Sequence, residues 1–265
     1  MSAISYTVAD RVGTIRITRP ERRNALNHRA LGEMHDAVRR AREDGLGCLV
    51  LSGSEGHFCA GADLTELEDM AFTQDLRRML DDLAALPFPT IAAISGSCMG
   101  LGVQLALACD LRLTTPEARF AVPVAKLGLM VDHWTIRRLS LCAGHSTARW
   151  LLLTASPIGA EAAVRSGLVQ QLVPVGDSGR SGRQPDAGAT VLPRAHDLAR
   201  SISKLAPLSL SGSKLGLDLV ERSLDGAEGD PVDPYREAFE AAWASDDLAE
   251  GRRAFSGAPP RVQGR

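Results

Sequence analysis

The stretch that decides the fold is Ile91 to Leu111, I-A-A-I-S-G-S-C-M-G-L-G-V-Q-L-A-L-A-C-D-L. Ile91 to Ile94 is a short apolar run of the kind that forms a buried strand. It breaks at Ser95-Gly96-Ser97 and resumes through Gly100 and Gly102 into Val103 to Cys109, an almost wholly apolar segment of helical length. A strand, a glycine-punctuated turn and a buried helix in so few residues place a helix N-terminus at the centre of the domain. The first N–H groups of a helix have no partner within it, so such a terminus can hold an anion or a developing oxyanion. Gln104 is the polar residue inside this helix, one turn from its start. A buried amide left without a hydrogen bond costs ~1–3 kcal/mol, so Gln104 needs either a protein partner or a ligand. A core helix with a tolerated glutamine is the plainer reading.

Working outward, Ile4 to Val8 and Val12 to Thr18 alternate as strands around a turn at Asp10-Arg11. Arg19 to Asn27, R-P-E-R-R-N-A-L-N, breaks that pattern and leads into an amphipathic helix over His28 to Glu43, with Leu31, Met34, Val38 and Ala41 on its apolar side and Asn27 as N-cap. The basic cluster Arg19, Arg22 and Arg23 suits either a phosphate or a solvated loop. Cys48 to Leu51 is a further buried strand. Gly53 to Leu64, G-S-E-G-H-F-C-A-G-A-D-L, is a glycine-rich loop ending where Asp63 and Glu66 fit a capping box. Helix follows to about Leu86, before Pro87 and Pro89.

Beyond the central stretch, Asp110 to Thr114 reads as a strand and Ala118 to Val122 as an extended piece. Asp132 then N-caps a helix through Leu139, with further helices at Thr147 to Leu153 and Gly159 to Gly167. Gly176 to Ala189 has the composition of a surface loop. From Pro193 the pattern is helical: Pro193 to Leu205, Leu208 to Leu224, Pro234 to Ala244, and a turn near Glu250 to Phe255. No repeat of fixed length is visible. The expected class is α/β, with residues 1–192 as core and 193–265 as a helical accessory segment.

A 265-residue chain with 45% hydrophobic residues and a net charge of −2 is expected to be a globular, water-soluble protein. That charge gives no support to nucleic acid or a membrane surface as partner. Cys48, Cys59, Cys98, Cys109 and Cys142 sit mostly in apolar runs without C-x-x-C spacing, which fits buried thiols in a reducing compartment rather than disulfides or a metal site. With no leader pattern and no apolar run of membrane-spanning length, a cytoplasmic location is expected.

Several motifs together carry a resemblance. F-C-A-G-A-D-L at Phe58 to Leu64, S-G-x-x-x-G-x-G-x-x-L-A-L-A-C-D at Ser95 to Asp110, and R-P-x-x-x-N-A-L at Arg19 to Leu26 resemble the crotonase (enoyl-CoA hydratase/isomerase) superfamily. So do G-L-V at Gly167 to Val169 and S-D-D-x-x-E-G-x-x-A-F at Ser245 to Phe255. The resemblance implies a spiral of ββα units with C-terminal helices that pack a homotrimer or a dimer of trimers. It also implies an acyl-CoA thioester as ligand, with coenzyme A part of that ligand and no separate cofactor or metal.

Carried over position by position, the resemblance makes the backbone N–H groups of Ala62 and Leu101 an oxyanion hole for the thioester carbonyl. Each such donor is worth about 3–4 kcal/mol in a transition state. Glycine is usual at the second position, and a leucine there is strained if φ must be positive. The coenzyme A end falls on Arg22, Arg23 and Ala25, and on Phe58, Ala60 and Ala62. Arg261 is a weak substitute for the family's basic residue in the last helix. Hydratases of the family use two glutamates, whose positions hold Gln104 and Val124 here. Neither residue exchanges a proton near neutral pH, and a positioned acid or base is worth ~10²–10⁴ in rate, so ordinary hydration is not expected.

Asp132 falls where some relatives place a working aspartate. It could act as the single base of an isomerase or as a nucleophile, or it could hydrogen-bond Gln104 or cap its helix. His133 and Trp134 are expected to shape the acyl pocket, and His57 to lie at the surface. The whole pattern resembles an actinobacterial subgroup that lacks both glutamates, for which the resemblance implies long acyl-CoA ligands. Three readings stay open: an acyl-CoA-binding protein serving as carrier or partner to lipid-metabolising enzymes, an enoyl- or dienoyl-CoA isomerase using Asp132, and a weak hydratase.

Overall fold

The computed structural model describes residues 2–63, 70–174, 188–223, 237–238, 240–241 and 244–246. Glu66, most of the 176–189 loop, most of the helix expected over 234–244, the turn near Glu250 and Arg261 lie outside these residues.

The main sheet has six strands. β1 (Ile4–Ala9) and β2 (Val12–Ile17) form an antiparallel hairpin, and β3 (Cys48–Gly53), β4 (Thr90–Ile94), β6 (Leu111–Thr114) and β9 (Gln171–Leu172) continue from β2, all parallel. Ile15 pairs with Leu51, Leu51 with Ala92, and Ile94 with Thr114. The runs C-L-V-L and I-A-A-I are apolar without alternation because both faces are covered. Leu49, Leu51, Ala92 and Ile94 join one core with α1 (His28–Glu43), α2 (Met70–Ala84) and α3 (Leu101–Ala108). Cys48, Val50, Ile91 and Ala93 face the other way, against Val191, Ala195 and Ala199 of α6 (Gly188–Ile202).

A smaller layer lies beyond the C-terminal ends of the parallel strands. β5 (Ser97–Met99), β7 (Arg119–Ala121) and β8 (Ile158–Gly159) form a three-stranded sheet, and single bridges join Cys59 to Cys98 and Leu26 to Ala62. The chain repeats one move: a strand of the main sheet, a short extended piece in the small layer, then a helix. β2, Leu26 and α1 make the first turn, and β3, Cys59 and α2 the second. The third is β4, β5 and α3, and the fourth is β6, β7 and α4 (His133–Thr154). This is the spiral of ββα units that the resemblance implies.

Local chemistry explains the boundaries. Asn27 accepts the Ala30 N–H at 2.9 Å and caps α1 as the sequence predicts. α4 is continuous in outline but breaks at Gly144 (φ 74°, ψ 150°), which accounts for the two separate helices expected there. α6 starts a turn before Pro193, so the division expected at 192/193 falls inside a helix that packs on the main sheet. Asp110, the last residue of the central motif, accepts the Thr90 N–H and hydroxyl and the Lys214 ammonium of α7 (Pro207–Ser223) at 2.8–2.9 Å, which ties that helix to the N-terminal ends of β4 and β6. Among the described residues no helix is long and apolar enough to cross a membrane.

The C-terminal end of α3 is held by Arg112 of β6, which is 4% exposed. Its guanidinium donates to Cys109 O (2.7 Å), Ala106 O (3.1 Å) and Leu168 O (2.6 Å). A cation at a helix C-terminus also suits the helix dipole. Arg112→Met strands three buried carbonyls, each worth ~1–3 kcal/mol when left unmade. Urea unfolding should therefore show a loss of at least about 3 kcal/mol; a change within the scatter of the measurement would remove this account of how α3 is seated.

Candidate functional site

The site is built where two loops meet the start of α3. Cys59 donates its N–H to Ser97 O and accepts from the Met99 N–H, both at 2.9 Å, which lays residues 58–61 along the strand leading into the helix. Gly102 has no side chain to spare here, because a Cβ would stand 2.3 Å from Cys59 O. The 22–26 loop is stitched to the same segment: Ala60 donates to Arg23 O (3.0 Å), Leu26 to Gly61 O (2.9 Å) and Asp63 to Leu26 O (2.8 Å). Behind it Asn24 is fully buried and fully used. Its amide donates to Ser54 O and His57 O, and its carbonyl accepts from Arg19 N and Ser54 Oγ.

Two backbone conformations turn N–H groups towards this junction. Gly61 has φ +115° and packs on the other strand, where a Cβ would lie 3.2 Å from Met99 O and 4.0 Å from Leu101 N. Gly100 has φ +51° and precedes the first residue of α3. The positive φ thus falls on glycine, and Leu101 keeps a helical backbone without strain, its side chain buried in the core. Among the described residues neither the Ala62 nor the Leu101 N–H donates to a backbone acceptor.

The remaining positions sort clearly. Arg22 and Arg23 are exposed on the outer side of their loop, and Ala25 is buried beneath them. Arg19 separates from that basic cluster, pairing with Asp63 Oδ2 at 3.1 Å and donating to Ala25 O at 2.5 Å. Phe58 is 0% exposed, so its ring is a core residue and only its backbone borders the junction. Ala60 and Ala62 are half-buried there. His57, expected at the surface, is half-buried, and its Nδ1 accepts the Ser97 N–H at 3.1 Å. Val124 packs against the core and lines an apolar cavity of about 340 Å³ with Val131, Ile136 and Leu152. Four thiols are buried, and burial pushes Cys48, Cys59 and Cys109 up to about 12, which leaves them unreactive.

Gln104 and Asp132 are linked through a residue that the motifs do not single out. Gln104 Nε2 donates to Thr135 Oγ1 at 2.9 Å, and Thr135 in turn donates through its hydroxyl to Asp132 Oδ1. The Thr135 N–H bonds the same oxygen at 3.0 Å, which makes Asp132 the N-cap of α4. The other carboxylate oxygen meets Arg77 of α2 at 3.2 Å. Arg77 also pairs with Asp81 at 2.7 Å, and its guanidinium carbon lies 4.0 Å from the centre of the Trp134 ring. His133 is exposed and Trp134 half-buried. An aspartate three residues before a threonine at a helix start signals Thr135 in the sequence. Nothing local signals that Arg77 reaches Asp132, 55 residues away.

With this geometry in hand, comparison with known proteins is direct. Residues 7–181 match the enoyl-CoA hydratase/isomerase family. The chain is 37% identical over 266 residues to a protein of Mycobacterium tuberculosis named "Probable enoyl-CoA hydratase echA6", covering 98% of this chain and 99% of that one. It is 33% identical to "Probable enoyl-CoA hydratase echA8" of the same organism, covering 92% and 91%. A crystal structure of an enoyl-CoA hydratase/isomerase family protein from Hyphomonas neptunium superposes with a TM-score of 0.86 at 30% identity, covering 99% and 98%. The chain belongs to the enoyl-CoA hydratase/isomerase family, the crotonase superfamily.

Burial pushes the Asp132 carboxyl up. The hydrogen bonds from the Thr135 side chain and backbone and from Arg77 outweigh it, and the group lies below its ordinary value. A carboxyl depressed on folding adds stability that is complete above the unfolded value near ~4 and is lost as pH falls through the folded value. Wild-type protein should therefore lose stability on acidification below about pH 4 more steeply than Asp132→Asn. Parallel pH profiles of the two in urea unfolding would show that the folded state does not favour the ionised group.

Proposed function

We propose that this protein binds an acyl-CoA thioester and does not hydrate it by the two-acid route. What supports the reading is one juxtaposition. Two N–H groups with no backbone acceptor among the described residues, those of Ala62 and Leu101, lie beside the start of α3, and one turn into that helix the side chain is the amide of Gln104 rather than a carboxyl. A thioester carbonyl seated there would take both N–H groups and the positive end of α3. Beyond it the ligand would meet Gln104, whose amide cannot act as acid or base, and Val124, which faces an apolar cavity. Arg22 and Arg23, exposed on the loop that borders the junction, would meet the phosphates of coenzyme A.

The isomerase reading needs Asp132 as a base, and the geometry supports it less. Asp132 spends one oxygen on Thr135 and the other on Arg77, and both bonds favour the charged form. A carboxylate held in that form is a poor proton acceptor. Carrier or partner roles towards other lipid-metabolising enzymes, and assembly as a trimer or pair of trimers, belong to the same proposal.

Calorimetry with saturated and 2-enoyl-CoA ligands, run beside a spectrophotometric hydration assay, tests it. Saturable binding is expected, with hydration at least ~10⁴-fold below an ordinary hydratase for the loss of two groups. Gln104→Glu combined with Val124→Glu should raise hydration measurably. Hydration by the wild type at ordinary enzyme rates would overturn the proposal.

A further inference from the structure

We infer that the protein has a second ligand site at the far end of the main sheet, which takes an aliphatic carboxylate. The charged group would sit on Arg11 and Arg42 and the chain on an apolar floor beside the start of α7. The inference does not rest on the thioester reading, because the two sites lie at opposite ends of the sheet.

A cavity of about 370 Å³ opens where the residues that precede β2, β3 and β4 meet the turn between α6 and α7. The Ala62–Leu101 junction lies beyond the other ends of these strands. Pro89, in the cavity lining, is separated from Ser95, past the far end of β4, by about 20 Å of extended chain. The volume falls within the range of small-molecule pockets, near its lower end. Leu46 and Phe88 are 5% and 7% exposed and make the floor, while Leu205 and Leu208 face it from the α6–α7 turn and the first turn of α7.

Charge decides what the cavity takes. Arg11 and Arg42 both line it and no lining residue is acidic, in a chain whose net charge is −2. The Arg11 guanidinium has no hydrogen bond or ion pair among the described residues. Arg42 Nη2 donates to Asp82 O and Ala85 O, both at 3.2 Å, which anchors the side chain and leaves its other N–H groups for a ligand. The Gly47 N–H donates to Arg11 O at 2.8 Å and so fastens the turn carrying Arg11 to the loop that follows α1. Ser203 and Ser211 also line the cavity, but their hydroxyls donate to Arg200 O and Leu208 O, so an anion would be met by the arginines. The positive end of α7 adds to the same field, since Pro207 and Leu208 line the cavity. A guanidinium matches a carboxylate best, because it can donate two parallel N–H groups. A bare anion would leave the apolar floor uncovered, and a neutral chain would leave the arginines unmet.

Calorimetry on the full chain tests this, with decanoate below its micellar concentration and with decanol and inorganic phosphate for comparison. Each titration is run with and without saturating decanoyl-CoA, which on the thioester reading fills the other site. Wild type should bind decanoate saturably in both conditions, and decanol and phosphate at least about tenfold more weakly, for the loss of one charge-assisted bond or of the chain. Arg11→Gln should weaken decanoate about tenfold, with an unchanged urea midpoint because the side chain it replaces holds nothing in the fold. Arg42→Gln should weaken it similarly, and Arg11→Lys by less. Absence of saturable decanoate binding, equal affinity for decanol or phosphate, displacement by decanoyl-CoA, or an Arg11→Gln variant that binds like wild type would each overturn the inference. None of these results bears on the thioester reading, which stands or falls on acyl-CoA binding itself.

Discussion

The structure depends on how closely the 58–61 segment crosses the start of α3. Two backbone hydrogen bonds between Cys59 and the 97–99 strand hold the segments, and the absence of a side chain at Gly102 lets Cys59 O approach. Backbone contact at that range leaves no room for alternatives, so the N–H groups of Ala62 and Leu101 are fixed by main chain rather than by side-chain packing. Two glycines with positive φ, Gly61 and Gly100, do the turning. The other end of α3 is closed by Arg112. The buried helix is thus satisfied at its C-terminus and open at its N-terminus, the polarity that an anionic or polarised ligand requires.

What surrounds this junction is organised by hydrogen-bond direction. From Asp81 through Arg77, Asp132 and Thr135 to Gln104, side chains on α2, α4 and α3 form one continuous path. A carboxylate at position 104 would compete with Asp132 for the single Thr135 proton, and two acceptors cannot share it. Glutamine is the residue that lets the path end without conflict. Val124 packs against the apolar core, where a charged carboxylate would be costly to bury. Gln104 and Val124 therefore both fit their surroundings.

Much of this is legible in the sequence because it is local. The strand, turn and helix of Ile91 to Ala108, the N-caps Asn27 and Asp132 and the break near Gly144 all follow from residues within a turn or two of one another. The spiral is not legible from periodicity, since its repeating move is carried by a single bridge at Leu26 and another at Cys59, too short to leave a pattern. Phe58 shows the limit of a motif: the residue is in the right segment, yet its ring turns into the core. Asp63 shows another, since its carboxylate meets Arg19 across 44 residues. Arg77 becomes a candidate only when α2 is brought against the start of α4, whereas Thr135 is marked locally by its place three residues after Asp132.

The most direct measurement is difference infrared spectroscopy of an acyl-CoA labelled with carbon-13 at its thioester carbonyl. If the Ala62 and Leu101 N–H groups clamp that oxygen, the labelled stretch falls to lower frequency on binding, as donation from two preorganised groups polarises the bond. A bound ligand whose carbonyl stretch stays at its value in water would contradict the account.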